Sequence, residues 1–161
     1  MDHLSPESHC VSVLCHVPAR QALDFLANGL ELGRWALGCW DTVPVGDDMV
    51  RGRSLFDGQS SYVRPVADRA RQRVTYHVGG TPHALSPRIQ AFVEPVEPVE
   101  AGGPSAACRI VLHAERGPDM DDARWLRLVR CHEVEVLLIQ SRLAQQATQP
   151  IFETTTGDMR S

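Results

Sequence analysis

Apolar and polar positions change period several times along this chain, and each change marks an element. His9 to Val17 (HCVSVLCHV) is short and β-rich. Pro18 ends it and suits the first turn of a helix. In ARQALDFLANGLELGRWAL, Ala22, Leu23, Leu26 and Leu30 recur at helical spacing. Asn28-Gly29 should break this stretch into two short helices. GCWDTV reads as a strand and VGDD as its turn. From Met49 to Val78 the pattern is strand, turn, strand, turn, strand, with the first turn at Asp57-Gly58. Val74, Tyr76 and Val78 alternate with Arg73, Thr75 and His77, so one face is apolar and the other polar. Ser86 to Glu94 repeats the alternation with Ile89, Ala91 and Val93 on one side. Cys108 to Glu115 does so with Ile110, Leu112 and Ala114. Between them EPVEPVEAGGPSA, Glu94 to Ala106, reads as a long exposed hairpin connection. A long helix is expected from Asp119 or Asp121, either a suitable N-cap, to about Gln146. The tail over residues 148–161 is expected to be poorly ordered.

These elements predict an α+β fold: a curved antiparallel sheet of about seven strands, two short helices after strand 1, and a long C-terminal helix over the sheet. A sheet with one apolar face must be covered, and the last helix is the element long enough to do it. Where helix and sheet do not meet fully, a cavity opens. With 161 residues, one domain over 1–161 is expected, with its ordered core over about 9–147.

Turned by about 100° per residue, the last helix sorts into faces. Trp125, Leu128, Val129, His132, Val136, Ile139 and Leu143 form one stripe, with His132 at its centre. Glu133 and Glu135 fall to either side, where water would reach them. Cys131, Val134 and Leu138, with Leu137 nearby, are placed on the opposite face. Either a neighbouring loop or tail covers them, or they form a homodimer contact. His132-Glu133 raises the question of a zinc protease, but HExxH needs a second histidine at i+4 and Val136 stands there. His77 and His113 fall on outward strand faces, so no metal site is expected. His132 is then either a satisfied core histidine or a cavity group that orients a ligand. Burial would keep it neutral, able to donate one hydrogen bond and accept another. Tyr76 is the second inward polar group.

Composition removes further classes. The net charge is -4, which gives no basic field for nucleic acid. All sixteen basic residues are arginine, which excludes a Schiff-base lysine and a lysine-bearing phosphate loop; it also points to a GC-rich bacterial genome. Five cysteines with no CxxC read as reduced thiols acting as small buried apolar groups. No run is long enough for a membrane span and the N-terminus is unlike a secretory signal, so a cytoplasmic protein without cofactor is expected. Arg51, Arg53, Arg64, Arg69, Arg71 and Arg73 crowd the central hairpins. They form a solvated face with acidic partners or a site for an anionic partner.

VSVLCHVPARQALDFLANGLELGRW, RGRSLFDGQSSYV and MDDARWLRLVRCHEVEVLLIQSRL, in this order, resemble the START-like or SRPBCC superfamily, in its polyketide cyclase/dehydrase or Aha1-type branches. The resemblance covers nearly the whole chain. It implies a helix-grip fold whose cavity, between sheet and long helix, binds a lipid, polyketide, steroid or other apolar molecule. Trp35, Trp40, Phe56, Tyr76, Ile110, Leu112, Trp125, Val129, His132 and Val136 are the residues expected to line it. Three functions follow in order. The first is binding of a small apolar metabolite. The second is a cyclase or dehydratase with His132 or Tyr76 moving protons. The third is a co-chaperone-like interaction module.

Overall fold

A computed structural model describes residues 7–97 and 106–148. The chain runs β1 (Ser8–Cys15), α1 (Ala19–Ala27), α2 (Gly29–Leu32), β2 (Trp40–Gly46), β3 (Met49–Arg53), β4 (Ser60–Asp68), β5 (Arg73–Gly79), β6 (Ser86–Val96), β7 (Ala107–Glu115) and α3 (Asp122–Thr148). The strands make one sheet in the order β1, β7, β6, β5, β4, β3, β2, with antiparallel neighbours throughout. Strands 1 and 2 are therefore the two edges, and α1 and α2 carry the chain from one to the other. This is the expected helix-grip architecture. Strand β6 runs two residues past Glu94. Most of the expected hairpin connection and the tail after 148 lie outside the described residues.

Local chemistry explains the boundaries. The Asn28 side chain accepts from Leu30 N at 3.0 Å, so the residue that ends α1 also caps α2. Asp47 and Asp48 both adopt positive φ, 51° and 55°, the geometry that two-residue hairpins require. Asp121 caps α3: its carboxylate accepts from Arg124 N at 2.8 Å and its carbonyl from Trp125 N at 3.0 Å.

One apolar cluster joins the inner sheet face (Val13, Val74, Ala91, Ile110, Leu112), α1 (Ala22, Leu23, Leu26) and the C-terminal half of α3 (Val136, Ile139, Leu143). Alternation in β1, β5, β6 and β7 puts these side chains on a single face. The cover is shared, which the pattern of the last helix did not reveal. Helix α1 packs on β4 to β7, while α3 packs chiefly on β1 and β7. Gln140 Nε2 donates to Leu14 O at 2.7 Å and ties α3 to the β1 edge. A smaller cluster of Ala114, Met120 and Trp125 holds the start of α3.

The outer face of α3 needs correction. Cys131 is half-buried and faces inward, and Leu138 packs against the core. The exposed apolar residues there are Leu126, Val134 and Leu137, so Cys131, Val134 and Leu138 do not form one outward patch. The cysteine reading also changes in part. All five are free thiols, but Cys10 is exposed while Cys15, Cys39 and Cys108 are buried. Burial pushes the Cys15 thiol up to about 12 and Cys39 to about 11. Three of the central arginines take acidic partners: Arg69 pairs with Asp24 at 2.8 Å, and Arg71 and Arg73 with Asp68 at 3.9 and 3.5 Å. Among the described residues no helix is long and apolar enough to cross a membrane.

Candidate functional site

Because α3 leans on β1 and β7, its other flank stands off the sheet. A cavity of about 340 Å³ fills the gap. Helix α3 supplies Arg124, Arg127, Leu128, Cys131, His132 and Glu135 to its wall. These sit at i, i+3, i+4, i+7, i+8 and i+11, one continuous helical face. Opposite them stand Val63 of β4, Tyr76 and Val78 of β5, and Ile89 of β6. The segment after α2 closes one side with Trp35, Ala36 and Cys39. Gly52 lets β3 approach that segment: a Cβ there would stand 2.7 Å from both Cys39 C and Cys39 Sγ. The β3–β4 connection reaches the mouth, where the Arg127 guanidinium lies 4.9 Å from the Phe56 ring centroid. Leu55 N donates to Leu37 O at 3.0 Å and anchors this connection.

The expected lining residues separate into two groups. Trp35, Phe56, Tyr76 and His132 border the cavity. Phe56 does so from the mouth and is 47% exposed. Trp40, Ile110, Leu112, Trp125, Val129 and Val136 do not border it. Ile110, Leu112 and Val136 are spent in the central core, and Trp125 and Val129 in the small cluster at the start of α3. Trp40 begins β2 opposite Arg53.

The polar groups of the interior are few. His132 is 2% exposed and its Nδ1 has no hydrogen-bond partner among the described residues. Its ring centroid lies 6.3 Å from that of His9, whose Nε2 is likewise unpartnered. Burial first, then the neighbouring His9 and His113, lowers the His132 pKa to about 4, so the imidazole is neutral at pH 7. Tyr76 is fully buried, and its hydroxyl does not reach a rim. It donates to Leu26 O at 2.7 Å, and burial followed by the Glu135 carboxylate raises its pKa well above the ordinary value. Trp35 packs edge-on to Tyr76 at 5.8 Å, and its buried Nε1 has no partner among the described residues.

Glu135 is the residue that the sequence reading misplaced. It is 6% exposed and lines the cavity. Burial raises its carboxyl to about 8, against a smaller opposing effect of a hydrogen bond with the Leu37 backbone. Near neutrality it is mostly the protonated acid, a donor as well as an acceptor. The signal was available: Glu135 lies three residues after His132, on the same side of the helix. Turning the helix by 100° per residue puts it only at the margin of the stripe, a position compatible with water or with a cavity wall. The three arginines at the mouth, Arg88, Arg124 and Arg127, were missed too, since nothing local distinguishes them from other exposed arginines.

No protein-family model matches the chain, and no curated protein matches its sequence. Solved structures do match. XoxI from Bacillus cereus is 11% identical with a TM-score of 0.61, over 89% of this chain and 100% of that one. The Zhui aromatase/cyclase from a Streptomyces species is 14% identical with a TM-score of 0.58, over 87% and 94%. BexL, a di-domain aromatase/cyclase, is 21% identical with a TM-score of 0.59. That match covers 90% of this chain and 48% of BexL. At such identities the likeness carries the fold: the chain has the helix-grip fold of START-like, or SRPBCC, proteins.

Proposed function

We propose that the protein binds a small, largely apolar molecule, aromatic or polyketide-like, in the cavity between the sheet and α3. One observation carries this reading. A cavity of about 340 Å³, within the usual range for small-molecule sites, is lined by aromatic and aliphatic groups and holds interior polar groups that are uncharged near pH 7. Neutral His132 and protonated Glu135 can orient a carbonyl or hydroxyl without the cost of burying an ion. Trp35 and Tyr76 offer ring faces and edges to a flat ligand. Native mass spectrometry of the purified protein, with extraction after denaturation, tests the reading. A defined ligand of a few hundred daltons is expected. An apo mass unchanged by aromatic and lipid extracts overturns it.

A cyclase- or dehydratase-type activity is the second reading, favoured by the aromatase/cyclases among the structural neighbours. Of the two residues proposed to move protons, Tyr76 has its proton engaged by Leu26 O. His132 keeps a free Nδ1, and Glu135 stands on the same wall. If this reading holds, His132→Ala abolishes turnover and keeps ligand affinity within about tenfold. Equal loss of both leaves binding alone.

A further inference from the structure

The cavity has a neighbour. A second cleft of about 550 Å³ lies between β6, the end of β7 and the loop that leads into α3. Arg88, Ile89, Glu115, Met120 and Arg124 line both the cleft and the cavity. The two spaces therefore share a wall, and side chains in that wall can serve either. Met120 is buried there beside Trp125, and a thioether is the side chain best able to give way to a ligand.

Charge is distributed unevenly along this path. Among the described residues, the arginines that line the cavity are Arg88, Arg124 and Arg127. At the shared wall Arg88 and Arg124 are exposed, and Arg127 stands at the cavity mouth beside them. Among the described residues Arg88 has Ser86 Oγ as a partner, at 3.2 Å from its Nε. Glu115 is the acidic group among them. In the outer cleft Arg116 is already taken by Asp122 at 2.7 Å, and Asp119 adds a second carboxylate. An anion drawn into the interior would meet no counter-charge and would lose its hydration. At the shared wall it would meet two or three guanidinium groups and keep contact with water.

Resting on the binding reading above, we infer that the ligand is amphipathic: an apolar body in the cavity and one anionic end held by Arg88 and Arg124 at the wall shared with the outer cleft. A carboxylate and a phosphate ester both have this chemistry, and guanidinium groups suit either. Three probes with one aromatic body separate the possibilities: 2-naphthoate, 2-naphthyl phosphate and the neutral 2-naphthamide, titrated by calorimetry at low and high salt. At least one anion should bind about tenfold or more tightly than the amide, with the advantage shrinking in salt. The tighter anion identifies the head group. The R88Q/R124Q double variant should bring the anion down to the amide's affinity while weakening the amide far less, and an unchanged urea-denaturation midpoint reports that the variant is folded. Equal binding of acid, phosphate and amide overturns the inference and leaves the cavity reading standing. So does a double variant that weakens all three alike. Binding of none of them overturns both.

Discussion

The two flanks of α3 carry different residues and end in different environments. On one flank Trp125, Val129 and Val136 pack against neighbours, with Ile139 and Leu143 continuing the contact onto the core. On the other, Arg124, Cys131 and Glu135 line the cavity, and Leu128 both lines it and packs on the cluster at the start of α3. His132 lies between. The packed flank stabilises the fold, and the open flank contains the candidate chemistry. The difference arises because α3 leans on β1 and β7 while α1 covers the middle of the sheet. A helix that met the sheet squarely would have filled the cavity and left Glu135 at a wet margin.

The largest effect should come from the packed flank. Ile139 is fully buried, so Ile139→Ala should cost about 3 kcal/mol in urea denaturation. Leu128→Ala, on the open flank, should cost about 1 kcal/mol or less and instead change ligand affinity. Similar stability losses at the two positions would break the comparison.

The next effect depends on pH. Glu135 has its folded pKa raised from 4.5 to about 8, so its contribution is complete below 4.5 and is lost as pH rises to about 8. His132 is lowered from 6.5 to about 4, so its contribution is complete above 6.5 and is lost as pH falls to about 4. From about 4.5 to 6.5 the two slopes oppose each other and their joint contribution is flat. From 6.5 to 8 Glu135 acts alone, for a loss on the order of 2 kcal/mol. Glu135→Gln should remove this decline, as read by denaturation midpoints across that range. A wild-type curve that stays level from pH 6.5 to 8, with no difference from the variant, would mean that the carboxyl ionises as freely as in water. The smallest effect belongs to the mouth. Arg127→Ala should cost about 0.5 kcal/mol and raise the mobility of the β3–β4 connection, measured as faster amide exchange at Leu55 and Phe56.

How much of this was legible beforehand varies with the range of the interaction involved. The two short helices followed from Asn28-Gly29, the strands from alternation about Val74, Tyr76 and Val78, and the start of α3 from Asp119 or Asp121, of which Asp121 is the cap. Each rests on contacts within a few residues. His132 was legible as inward because it sits at the centre of a stripe. Glu135 was not, since the same spacing is compatible with water or with a cavity wall. Nor was the separation of Ile110 and Leu112 from the lining. They point inward as expected, but α1 and α3 cover them before the cavity is reached.

The sequence by itself therefore determined the elements, their order and most of their inward faces, because periodicity and turn chemistry are local, and the resemblance of its three segments implied the helix-grip class. Tertiary structure alone decided where the cavity lies, which inward residues border it and which groups are neutral there. Those properties depend on how two helices divide one sheet face, and that division is set by packing between residues far apart in the chain. The protonated Glu135 and the unpartnered Nδ1 of His132 are its consequences.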